Sequence, residues 1–242
     1  MFVTVDHKRE LQVIETATGA ILARVPVPVS VSGEPPLELA LSGDGSRVYV
    51  FAPQASPAVL LAIDTTRYSV DAMSNPAPGG SLGPLLISPD GTQLYFEVGY
   101  GNGFIQVVNA TTLEAEKQIP FNGIPLDLAV TGSGLILMTD SSNQWQVIDP
   151  KSSSVNVLAL PNNDQGTPGN VISSPDSTTA YISFPKPSLL AVNIATGATI
   201  FEVPIGYIPT NFAISPDGAT LYSSNLSMKQ VWSLSEFSIT SK

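Results

Sequence analysis

The chain has 242 residues with 20 acidic and 10 basic side chains, a formal net charge of −10, a single histidine and no cysteine. Its basic residues are scattered rather than grouped, which excludes a phosphate-tracking nucleic-acid surface. The missing thiols exclude disulfides, a cysteine nucleophile and thiolate metal sites. With 43% hydrophobic residues and a mean hydropathy of +0.21 the chain can bury a sizeable core. Only 12% of residues are charged, while 19 glycines and 21 prolines punctuate the chain, a profile of many short strands joined by tight turns. No apolar run approaches the roughly 18 residues of a membrane span.

The N-terminus, Met1 to Val5, enters an alternating strand at once. It lacks the charged region, apolar stretch and small-residue cleavage site of a signal peptide, so either the chain is cytoplasmic or a leader has been removed. His7 lies in the turn Asp6-His7-Lys8-Arg9-Glu10, and Phe2 to Val27 supply three strands. Next comes the first copy of a recurring unit, Leu39-Ala40-Leu41-Ser42-Gly43-Asp44-Gly45. It returns at Leu85 to Gly91, as Leu-Leu-Ile-Ser-Pro-Asp-Gly, and at Leu128 to Gly134, as Leu-Ala-Val-Thr-Gly-Ser-Gly. Val171 to Ser177 and Phe212 to Gly218 complete the series. The hydroxyl residues Ser42, Ser88, Thr131, Ser174 and Ser215 are spaced at 46, 43, 43 and 41 residues, the period of a four-stranded propeller blade.

Each part of the unit has a physical task. The apolar triplet suits an innermost strand buried on both faces. In Ser-Pro-Asp-Gly, proline fixes φ, aspartate bonds nearby backbone and glycine accepts positive φ, which reverses the chain into an antiparallel partner. Those partners follow directly, as in Arg47 to Phe51, Gln93 to Phe96 and Thr179 to Ile182. Third strands end on a hydrophobic residue and Asp, Asn or Glu, as at Ile63-Asp64 and Val108-Asn109. Thr18-Gly19 and Thr196-Gly197 turn into fourth strands such as Ile21 to Val27 and Thr199 to Ile205. At the C-terminal end Val231 to Leu234 reads as a third strand and Glu236 to Thr240 as one further strand. The expected fold is therefore an all-β propeller of about six four-stranded blades in a single domain. Its repeat units are about 1–36, 37–82, 83–125, 126–168, 169–209 and 210–242. The ring is either incomplete or closed by strands from both termini.

This series of Ser-Pro-Asp-Gly, Leu-Tyr, Ile-Asp or Val-Asn and Thr-Gly resembles the YVTN-type β-propeller repeats of prokaryotic surface proteins. It is also similar to the repeats of TolB-like propellers and of seven-bladed lactonases. The resemblance spans nearly the whole chain and departs at Thr131-Gly132-Ser133-Gly134, which lacks Pro and Asp, and at Asp44, which follows Gly43. It implies an extracellular, periplasmic or cell-surface protein. It does not fix a function, since one fold serves many.

Catalytic signals are absent from the sequence. His7 has no Gly-x-Ser-x-Gly elbow to serve and reads as a loop histidine. Gly99 to Gly103 lacks the Lys-Ser or Lys-Thr of a phosphate loop and reads as a hairpin. The sequons at Asn109 and Asn225 carry meaning only in a glycosylating host.

One constellation stands out. Four places before each hydroxyl residue are Glu38, Pro84, Asp127, Asn170 and Asn211. In a propeller these positions would ring one mouth of the central channel. Glu38, Asp127, Asn170 and Asn211 are oxygen donors of the kind that hold a hard cation such as Ca²⁺. Gluconolactonase-type propellers hold a metal with acidic and amide groups at a comparable place. The competing expectation is that these residues begin strands and bond backbone groups. On the same face lie the loops 30–36, 76–83, 121–125, 161–169 and 206–210, with Phe121 and Tyr207 as aromatic contacts for a ligand. The expected function is a non-catalytic scaffold that binds a protein or carbohydrate through this face. The alternative is a metal-dependent lactonase or hydrolase that uses the mouth carboxylates.

Overall fold

The computed structural model describes residues 2–5, 10–28, 38–52, 58–75, 83–99, 101, 103–160, 166–186, 188–205, 209, 211–226 and 232–238. Among these the regular structure is entirely β. The residues group into two compact units, one of 1–99 with 103–120 and one of 100–102 with 121–242.

The first unit holds three antiparallel sheets. Sheet one runs β1 (Phe2–Val5), β2 (Glu10–Ile14) and β3 (Ile21–Pro26). Sheet two runs β4 (Glu38–Leu41), β5 (Arg47–Ala52), β6 (Val59–Asp64) and β7 (Ser69–Ser74). Sheet three runs β8 (Leu86–Ile87), β9 (Gln93–Val98), β10 (Phe104–Asn109) and β11 (Ala115–Pro120). The second unit repeats the design. Sheet four comprises β12 (Pro125–Val130), β13 (Ile136–Asp140), β14 (Gln144–Asp149) and β15 (Ser154–Ala159). Sheet five comprises β16 (Val171–Ser173), β17 (Thr179–Phe184), β18 (Ser188–Asn193) and β19 (Thr199–Pro204). Sheet six comprises β20 (Asn211–Ile214), β21 (Thr220–Leu226) and β22 (Trp232–Ser238). Every sheet pairs its strands in chain order, so each is an up-and-down meander.

Strand alternation lets one strand serve two packing layers, because successive side chains point to opposite faces. Val48 and Val50 of β5 pack with Leu11 and Val25 of sheet one. Tyr49 and Phe51 of the same strand pack with Leu94 and Phe96 of sheet three. In the second unit, Ala180 and Ile182 of β17 pack with Trp145 of sheet four, whereas Tyr181 packs towards Leu221 of sheet six. Within each unit the first strands also neighbour one another, β4 beside β8, and β12 beside β16 beside β20.

Two expectations are corrected. The apolar triplets do not mark the most buried strands: β4 and β12 are only partly covered, whereas Val48 to Ala52 and Leu94 to Phe96 are at most 3% exposed. An innermost strand is an edge with one neighbour, and the second and third strands are flanked on both sides. At the C-terminal end, Trp232 to Ser238 form one strand paired with β21 from Leu226 through Thr220, so Glu236 to Ser238 continue that strand instead of starting another. No Gly, Pro, Asn or Asp interrupts Leu234-Ser235-Glu236, and the ladder simply runs on.

The turn unit behaves as its chemistry dictates. Ser88 Oγ donates to Asp90 Oδ1 at 2.6 Å, Gln93 N–H donates to Ser88 Oγ at 2.9 Å, and Gly91 sits at φ +71°. Ser42 with Asp44, Ser174 with Asp176 and Ser215 with Asp217 repeat the pattern. In the divergent copy the turn is one residue shorter. Leu135 N–H donates to Thr131 Oγ1 at 3.0 Å, and Ser133 takes the aspartate's place beside that hydroxyl at 2.9 Å.

Candidate functional site

In the second unit three of the four predicted oxygen donors lie at or near the starts of the neighbouring strands β12, β16 and β20. Asp127 Oδ2 accepts a hydrogen bond from Val171 N–H of the next sheet at 2.9 Å. The Asn170 side chain also bonds this carboxylate. Burial pushes the Asp127 carboxyl above its ordinary value, against the opposing pull of the Val171, Leu128 and Asn170 hydrogen bonds. Asn211 is exposed, and its Oδ1 accepts from Phe212 N–H at 2.8 Å. Glu38, in the first unit, is half-buried at the start of β4, opposite Phe51 in the ladder. Asp127 and Asn211 thus each spend a side-chain oxygen on a backbone N–H. Among the described residues no three His, Cys, Asp or Glu side chains cluster as metal ligands.

Around Asp127 the structure adds partners that the sequence column did not contain. Thr139 Oγ1 donates to Gly169 O at 2.7 Å, Gly169 N–H donates to Ser183 O at 2.7 Å, and Asn170 N–H donates to Ser183 Oγ at 2.9 Å. A side chain on Gly169 would place its Cβ 2.7 Å from Ser183 Oγ, so any larger residue must displace that hydroxyl. Sheets four and five are therefore stitched by Asp127 and Thr139, while Ser183 holds the Gly169–Asn170 segment against β17.

The loop before β12 is fixed from below. Asp140, 1% exposed, lies under Gly123 (φ +91°), whose added Cβ would come within 3.0 Å of the carboxylate. Gln146, also buried, donates to Asn122 O at 2.6 Å and to Asp140 Oδ2 at 3.1 Å, and Ser141 N–H donates to Ile124 O at 3.0 Å. Phe121 is only 3% exposed and so belongs to the packing instead of meeting a ligand. The residues presented here are Asn122 and Ile124 of this loop and Leu126 at the start of β12, the last two 46% and 45% exposed. Alternation across Pro125 was the one signal that could have found them. Tyr207, His7 and the loop segments 30–36, 76–82, 161–165 and 206–208 lie outside the described residues.

No family model matches the chain, and no curated protein does. Solved structures do. Hydrazine synthase from Kuenenia stuttgartiensis aligns with a TM-score of 0.80 at 16% identity, over 99% of this chain and 80% of that one. The fold class is that of a β-propeller. A functionally unknown protein from Desulfotomaculum acetoxidans aligns with a TM-score of 0.74 at 19% identity, over 98% of this chain and 79% of that one. At these identities the likeness is one of fold, and the chemistry has to be read from the propeller's own side chains.

Proposed function

We propose that the propeller is a non-catalytic scaffold of the YVTN-type class, working outside the cell, in the periplasm or at the cell surface. It binds a protein or carbohydrate through the face on which the first strands begin. One observation carries this reading: Ile124, on a loop that Asp140, Gln146 and Ser141 hold in place from beneath, and Leu126, at the bulge that opens β12, both stand half-exposed. An apolar pair shown to solvent on a rigid support loses little entropy on docking, which is how an interface anchor gains affinity. The adjoining Asp127 and Asn170 give the same face its polar rim.

The test is an Ile124→Ser/Leu126→Ser double variant compared with wild type on immobilised surface proteins and glycans. The wild type retains a ligand that the variant releases, at an unchanged melting midpoint. Equal retention by both would place binding elsewhere. A metal-assisted hydrolase would use the lone pairs that Asp127 and Asn211 keep beyond their backbone bonds. A calcium-dependent rise in the melting midpoint that Asp127→Asn abolishes would favour that second reading over the scaffold.

A further inference from the structure

At the other end of the β4–β5 and β8–β9 hairpins, within the first unit, their turns border a cleft of about 620 Å³ that neither reading uses. This volume falls within the range of about 300 to 1,000 Å³ typical of small-molecule sites. Its walls are more polar than apolar, and they include Arg47, Asp44, Asp90, Thr111 and the largely buried Tyr49. The Tyr49 hydroxyl is committed, donating to Ala110 O at 3.0 Å.

Arg47 is the unusual group. Among the described residues Arg24 is ion-paired with Glu10, and Arg67 with Asp64 and Asp71, whereas the half-buried Arg47 side chain makes neither an ion pair nor a hydrogen bond. At the equivalent strand position the other sheets carry Gln93, Leu135, Thr179 and Thr220, so the repeat itself does not call for a cation. A guanidinium presents five N–H donors in a fixed fork, all of them unused here. Close by, Asp44 Oδ1 is filled by Ser42 Oγ, Ser46 N–H and Ser46 Oγ. Oδ2 takes one bond, from Ser46 Oγ, and keeps acceptor capacity. The same bonds hold the Asp44 carboxyl down to about 2, so the acceptor is ionised at any ordinary pH.

The cleft therefore carries a donor fork and an ionised acceptor on its walls. Two carboxylates and one guanidinium disfavour an anion, and the guanidinium disfavours a cation. Adjacent hydroxyls of a sugar fit both groups, since each hydroxyl can accept from Arg47 while donating to Asp44. We infer that this cleft binds a neutral saccharide, held between the Arg47 fork and the Asp44 carboxylate. It is a site separate from the Ile124/Leu126 face.

The experiment titrates ¹⁵N-labelled protein with neutral oligosaccharides (cello-, xylo-, manno- and maltotetraose) to millimolar concentration and follows backbone amide shifts. At least one sugar is expected to move the amides of Gly43, Asp44, Arg47, Gly91 and Thr111. Arg47→Leu, which places in sheet two the residue that sheet four already has at this position, is expected to weaken that sugar at least about tenfold, the loss of one charged hydrogen-bonding partner. Its unshifted resonances elsewhere report that the fold is intact. Silence from every sugar, binding that Arg47→Leu leaves unchanged, or binding of inorganic phosphate in place of sugar would each overturn the assignment. Shifts confined to Asn122, Ile124 and Asp127 would do so too, while supporting the loop-face reading. Failure of the Ile124→Ser/Leu126→Ser test leaves this map unaffected.

Discussion

Equivalent junctions in the two units share an apolar layer and differ in what is added to it. Between sheets two and three, Phe51 and Phe96 meet with ring centroids 4.2 Å apart and planes tilted by 33°, both fully buried. Between sheets four and five Leu137 and Trp145 pack with Ala180 and Ile182, but Thr139 stands where Phe51 does, and beside the apolar layer runs a hydrogen-bonded seam through Gly169, Asn170 and Asp127. The repeat tolerates either solution because both satisfy the same geometry. They differ in what they leave available. An apolar junction stabilises and offers nothing to a ligand, whereas a polar seam brings a partly buried carboxylate to the strand starts at the expense of desolvation.

The contrast can be broken most severely at its apolar side. Phe96→Ala should lower unfolding free energy by about 3 to 5 kcal/mol, since it empties a fully buried site packed against Phe51, and a denaturant titration reads it directly. Gly169→Ala is expected to cost roughly 1 to 3 kcal/mol, because the new methyl must displace Ser183 Oγ and loosen its bond to Asn170 N–H. A loss near zero in the same titration would mean that the seam is slack.

A smaller effect is expected at Ser177, which occupies the glycine position of its turn at φ +62° and accepts a 3.0 Å bond from Ser133 N–H of the neighbouring sheet. Ser177→Ala keeps the unfavourable φ and loses the bond, for a cost of about 1 kcal/mol. Ser177→Gly loses the same bond but relieves the backbone, so thermal melts should place it at or above the alanine variant. Asp127→Asn should change stability least, within about 1 kcal/mol at neutral pH. The sign follows from the raised carboxyl. The folded state takes up a proton more readily than the unfolded chain, so Asp127 contributes stability below the ordinary carboxylate value of 3.8 and loses it as pH rises through the raised one. The variant therefore compares best with wild type at neutral pH and falls behind as the solution is acidified, which melts at pH 3 to 7 would reveal.

Much of this architecture was legible because it is local. Ser88, Asp90, Gly91 and Gln93 close their turn within six residues, and the strand that follows needs only alternation to be recognised. The mouth column was legible as a column, though not as a set of interactions. Asp127 bonds Val171, 44 positions onward, and nothing near Asp127 in the chain announces it. From the sequence Phe121 is expected as an aromatic contact of the loop 121–125, yet it is buried, and Ile124 and Leu126 are exposed there instead. Arg47 read as an ordinary strand residue until its lack of a partner became visible.

The sequence by itself determined the period, the turn chemistry, the order of strands in each sheet and the all-β class, because those depend on residues a few places apart and on a two-residue alternation. Only the tertiary structure decided which oxygens face backbone, which hydrophobic residues reach solvent, and which arginine is left unpaired. Those outcomes depend on the neighbouring sheet, whose contacts are made by residues some forty positions away.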